Sequence, residues 1–188
     1  MNKLKYSLWG QMLLMVKTHL TTAILFMILF LATTSLRNDF GNIVFGVFGT
    51  LGYFLSIYSQ AAASLTDDKR TISPLNPKPL KGFILPLILT AVSLVIVLMY
   101  HLAWAKGSGG QALTQVWSLI LNIVSLLWVS PYQPFLGMNC GQIETYGYLI
   151  IFILPIIASG LGYFAAYKGF DLNAKIHGLA YEKKKDEF

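Results

Sequence analysis

The chain has 188 residues, of which 55% are hydrophobic and 12% charged, about half the charge of an ordinary water-soluble domain. Its formal net charge of +6 lies in short lysine and arginine clusters beside apolar runs, a pattern that orients membrane proteins, so nucleic acid is not an expected partner. The single cysteine, Cys140, excludes an intramolecular disulfide and a thiolate metal cluster within one chain.

Five stretches carry no charge: 18–36, 40–66, 82–105, 107–143 and 145–167. Each is at least as long as the roughly 18 to 20 apolar residues that a helix needs to cross about 30 Å of hydrocarbon. The expectation is an all-α integral membrane protein.

Residues 1–17 mix Leu4, Leu8, Trp9, Met12, Leu13 and Val16 with lysines, an amphipathic pattern expected to lie along the inner membrane surface. The apolar run that follows lacks a small-x-small cleavage site, so it reads as an uncleaved first spanning helix, about 18–36. After a tight turn at Arg37–Asn42 a second span is expected over about 42–64. The loop 66–79 holds three prolines and no periodicity, which predicts an extended, exposed segment. Within it Asp67, Asp68, Lys69 and Arg70 read as a solvated charge run, with a phosphate or metal contact as the alternative.

A third span is expected over about 82–105, with Pro86 near its start. His101, between Tyr100 and Trp104, reads as part of an outer aromatic belt, the alternative being a proton relay. Beyond the flexible joint Lys106–Gly110, residues 112–129 carry Thr114, Gln115, Ser118, Asn122 and Ser125 at three- and four-residue spacing. That is one uncharged polar stripe on an amphipathic helix, with Trp117 and Trp128 suited to an interface. A last span is expected over about 146–168, containing Pro155, followed by a cytoplasmic tail, 172–188, that begins as a short surface helix.

Charge decides the count. If 112–129 does not cross, twelve lysines and arginines lie on the cytoplasmic side, against Arg37 and Lys106 outside. If it does cross, the tally is seven against seven. The expected fold is therefore a four-transmembrane-helix bundle with both termini cytoplasmic and an external amphipathic or re-entrant helix; five transmembrane helices are the alternative.

Ala158, Gly162 and Ala166 recur at four-residue spacing, and Gly52, Ser56, Ser59 and Ala63 form a comparable stripe on the second span. Small residues let helix backbones approach closely in lipid, so these are helix-packing candidates, within one subunit or across a homo-oligomer or partner seam. Two short echoes, Leu51–Phe54 with Leu161–Phe164 and Phe83–Ile88 with Phe152–Ile157, leave an internal duplication open. No phosphate loop, nucleophile elbow, paired metal-ligand spacing or catalytic trio is visible, so no catalytic, cofactor or metal residue is assigned.

The last span ends in Gly162-Tyr163-Phe164-Ala165-Ala166-Tyr167-Lys168-Gly169-Phe170-Asp171-Leu172. This resembles the Gly-Tyr-x-x-Gly-Tyr-x-Gly endings of uncharacterised small multi-pass membrane proteins of Gram-positive bacteria, with Ala166 in place of the second glycine. The resemblance covers about a dozen residues and implies a bacterial cytoplasmic membrane, but no activity.

Three function classes remain. The first is a non-catalytic component of a membrane complex, which meets partners or anionic lipid through its basic cytoplasmic segments. The second is a small transporter or substrate-binding transport subunit, with Gln115, Ser118, Asn122 and His101 as candidate pathway residues. The third is a lipid-modifying membrane enzyme.

Overall fold

A computed structural model describes residues 7–35, 39–69, 77–107, 112–135 and 145–170. Among them the fold is all-helical: α1 (Leu8–Ser35), α2 (Asp39–Asp68), the single turn α3 (Lys81–Ile84), α4 (Leu87–Gly107), α5 (Ala112–Val129), a 3-10 turn at Ser130–Phe135, and α6 (Thr145–Tyr167). Among the described residues three stretches are long and apolar enough to cross a membrane: Leu8–Leu29, Lys81–Met99 and Leu149–Tyr167.

Several boundaries differ from the sequence reading, each for a local reason. α1 begins ten residues before the expected span, so 7–17 is its first part and not a separate surface segment. The Ser7 hydroxyl accepts a hydrogen bond from the Gly10 amide at 3.0 Å, an N-cap that starts the helix there. α2 runs four residues past the expected end because the face carrying Tyr53, Ile57, Ala61, Ser64 and Leu65 continues, at helical spacing, to Asp68. The expected third span is broken at Leu85–Pro86, where proline has no amide hydrogen to give the preceding turn. α6, in contrast, runs through Pro155. α5 has the expected bounds.

α6 stops at Tyr167 through a glycine. Gly169 has φ of +84°, and its amide bonds the Ala166 carbonyl at 3.0 Å while that of Phe170 bonds the Ala165 carbonyl at 2.9 Å. This is a Schellman stop, which requires the left-handed conformation that glycine adopts most cheaply. The last glycine of the Gly-Tyr-rich ending thus has a structural duty.

α1 and α2 are an antiparallel pair, since Gln11 reaches Asp68, Thr18 reaches Gln60, His19 reaches Tyr53, and Phe26 lies against Gly52. The inward face of α1 is Gln11, Met12, Met15, His19, Ala23 and Phe26; that of α4 includes Leu89, Ser93 and Val97, and that of α6 Ile151, Ala158, Ser159 and Tyr163. Outward, α1 carries Ile24, Leu25, Ile28 and Leu29, α4 carries Leu94, Val95 and Leu98, and α6 carries Ile153, Ile157 and Leu161, all exposed. Contiguous apolar surface of this kind needs either lipid or another protein to cover it.

α5 turns back along α4 after the short connection 108–111, and its C-terminal end is tied to Ser93. It therefore stops about twelve residues, or roughly 18 Å, short of the level of Lys81 at the start of α3. The ends of α5 and of the 3-10 turn lie beside Ala23, Tyr53 and Ser93, near the middle of α1, α2 and α4.

Candidate functional site

Among the described residues two polar clusters lie inside the bundle. The first gathers four helix ends around Asp68, the last residue of α2, which is fully buried. The Lys81 ammonium lies 2.7 Å from each carboxylate oxygen. Gln11 donates its amide to Oδ1 at 2.7 Å, and the Tyr163 hydroxyl donates to Oδ2 at 2.7 Å. A buried carboxylate is tolerable only when paired and hydrogen-bonded, and Asp68 receives both kinds of support.

The lysine is placed by two glycines. A Cβ on Gly82 would stand 2.5 Å from the Tyr163 Cβ and 2.9 Å from the Ser159 carbonyl oxygen, and a Cβ on Gly160 would overlap the Phe83 ring. The bare backbones let α3 settle onto α6, where the Ser159 hydroxyl donates to the Gly82 carbonyl at 2.6 Å. Lys81 is thereby held against Asp68. The reading of Asp68 as solvated is corrected: a run of four charged letters hides one residue in register with the buried face of α2.

The second cluster surrounds His19, which is fully buried inside the bundle. Its Nδ1 lies 2.9 Å from the Tyr53 hydroxyl, and its Nε2 lies 3.1 Å from the Trp128 carbonyl oxygen. The Tyr53 and Tyr132 hydroxyls are 2.6 Å apart. Trp128 Nε1 donates to the Ser93 hydroxyl at 2.9 Å, and the Ser130 hydroxyl donates to the Ala23 carbonyl at 2.7 Å. These bonds join α1, α2, α4 and the tip of α5. Trp128 is therefore a core residue, only 6% exposed, whereas Trp117 is 62% exposed.

The helix-packing candidates divide between two contacts. A Cβ on Gly162 would fall on the Tyr58 backbone, so α6 meets α2 there. Ala158 is buried and Ala166 packs against the core from its edge. Gly52 instead faces α1, where a Cβ would stand 3.3 Å from the Phe26 ring, and the Ser56 hydroxyl bonds the Gly52 carbonyl of its own helix at 2.8 Å. Ser59 is partly buried and Ala63 exposed. The two stripes are thus not one seam.

His101 lies on α4, and Gln115, Ser118 and Asn122 lie on α5, but their side-chain surroundings fall outside the described residues, as do Cys140 and the tail 172–188. Of the polar stripe Ser125 is buried, and elsewhere on α5 the apolar Val116, Ile120, Ile123 and Val124 are exposed. The sequence reading missed Gln11, Lys81, Tyr53, Tyr132 and Tyr163. Helical spacing was the available signal, since Gln11, Met15 and His19 follow at i, i+4 and i+8. No protein-family model matches the chain, and neither the curated proteins nor the solved structures include a match.

Proposed function

We propose that the chain is a non-catalytic component of a membrane complex in the bacterial cytoplasmic membrane, with four crossings, cytoplasmic termini and a re-entrant α5. The convergence on Asp68 carries this reading. The start of α1, the end of α2, the start of α3 and the end of α6 are the four places that the lysine and arginine tally assigns to the cytoplasm, and they contribute Gln11, Asp68, Lys81 and Tyr163 to one cluster. Asp68 spends its carboxylate on neighbouring helices, which suits a clamp that fixes the bundle's inner end. Lys69, Lys78 and Lys168 are exposed, and they are the groups offered to anionic lipid or a partner protein. A reporter fused after Phe188 is expected to be active only in the cytoplasm, and one inserted at Gly109 only outside. An externally active C-terminal fusion would overturn the topology.

A small transporter or transport subunit is the second reading, favoured by the end of α5 at mid-bundle beside His19, Tyr53 and Tyr132. Partial helices ending in polar surroundings are a construction that transporters use. Cysteines placed singly at Gln115, Ser118 and Asn122 separate the two. A component should label with a water-soluble thiol reagent only near the outer end of α5, and Asn122→Leu should leave assembly unchanged. Labelling along the whole stripe, protected by an added solute, would instead establish the transport reading.

A further inference from the structure

The hydrogen bonds around His19 can run in only one direction while the ring is neutral. The Trp128 carbonyl can only accept, so His19 Nε2 carries the ring hydrogen and donates to it. Nδ1 must then accept, which makes Tyr53 the donor to His19. Tyr53 has no second hydrogen, so Tyr132 donates to Tyr53. Each contact receives one hydrogen and each donor is used.

We propose that His19 is a proton-operated latch on the tip of α5. A proton taken from water onto Nδ1 makes that nitrogen a donor and reverses the chain. His19 then donates to Tyr53, and Tyr53 donates to Tyr132. The Tyr132 hydroxyl is left with a hydrogen whose former acceptor has become its donor. Tyr132 is fully buried, and Tyr53 is its one hydroxyl partner among the described residues. The same proton places a positive charge where the groups facing the ring are Tyr53 from α2, Trp128 from α5 and Tyr132 from the 3-10 turn, with Ser93 of α4 joined only through Trp128. The Asp68–Lys81 pair is reached by Gln11, eight residues earlier on α1 and roughly 12 Å along the helix, and its carboxylate is already committed. An orphaned buried donor and an uncompensated buried charge both favour withdrawal of the tip. Two of the other bonds holding the tip, from Ser130 to Ala23 and from Trp128 to Ser93, are between neutral groups and release without further ionisation. The latch depends on the position of the tip and not on whether the chain transports a solute.

Trp128 reports the state of the latch, because its ring centroid lies 4.4 Å from that of His19. The test uses the full chain in lipid nanodiscs with Trp9→Phe, Trp104→Phe and Trp117→Phe, leaving Trp128 as the fluorophore. Between about pH 8 and pH 3, a range wide enough for a buried imidazole, its emission should shift to the red and weaken in one reversible transition. His19→Gln preserves the neutral pattern, since its amide nitrogen can donate to Trp128 and its oxygen can accept from Tyr53, yet it cannot titrate. That variant should hold the blue, unquenched emission throughout. A flat profile with His19 present, or the same transition with glutamine, would overturn the proposal. Should the glutamine variant not fold, the imidazole NMR signal of His19, isolated by His101→Gln and His177→Gln, decides the matter. Its midpoint must coincide with that of Trp128 emission, and separate midpoints would overturn the latch.

Discussion

Replacing Lys81 with methionine is expected to lower stability by about 3 to 5 kcal/mol, the usual cost of leaving one member of a buried ion pair without its partner. Methionine keeps much of the length of the lysine stem but removes the only cation bonded to Asp68 among the described residues. Asp68, fully buried, would retain Gln11 and Tyr163 as donors, and two neutral hydrogen bonds do not offset a buried negative charge. Thermal unfolding followed in detergent should fall by roughly 10 °C. Adding Asp68→Asn to Lys81→Met should restore most of the loss. The new amide oxygen can accept from Tyr163, and once the Gln11 amide turns over the new amide nitrogen can donate to Gln11 Oε1, a buried acceptor without a partner among the described residues. Tyr163→Phe alone should cost less, about 1.5 to 3 kcal/mol, because it deletes one hydrogen bond to a charged group. Equal stability of Lys81→Met and the native chain would mean that water, not the bundle, solvates Asp68.

The contrast between α5 and the Asp68 cluster explains what could be read from the letters. α5 was legible to its end residues because its signal is local: Thr114, Gln115, Ser118, Asn122 and Ser125 repeat at helical spacing within one element. Its depth was not, because that is set by Trp128, Ser130 and Tyr132 meeting residues of three other helices. Lys81 and Asp68 are thirteen residues apart in sequence, across a loop with three prolines, and nothing in that loop announces their pairing. The pairing follows from Gly82 and Gly160, whose missing side chains let α3 reach α6. Charge was therefore a poor guide to which charges face water, since Asp68 and Lys81 are both buried. The start of α1 failed for a smaller reason, since Ser7 caps a helix that was expected to begin ten residues later.

Gly162→Leu should be the most disruptive single change on α6. The first atom added at that position would already fall on the Tyr58 backbone, so the obstacle is main chain and not the movable tip of a side chain. α2 and α6 would have to separate, which would uncover Ala158, Tyr163 and the Asp68 cluster together. Gly162→Ala should therefore be strongly destabilising as well, beyond the roughly 1 to 3 kcal/mol of ordinary overpacking. Gly52→Ala is the matched control, because its Cβ would stand 3.3 Å from the Phe26 ring, a side chain that can yield by a few tenths of an ångström. The expected order of monodisperse yield in detergent is native chain, then Gly52→Ala, then Gly162→Ala, with Gly162→Leu lowest. The same order should hold for the midpoint of thermal unfolding. If leucine at position 162 left both quantities unchanged, that face of α6 would have to point into lipid, and the close contact between α2 and α6 would be wrong.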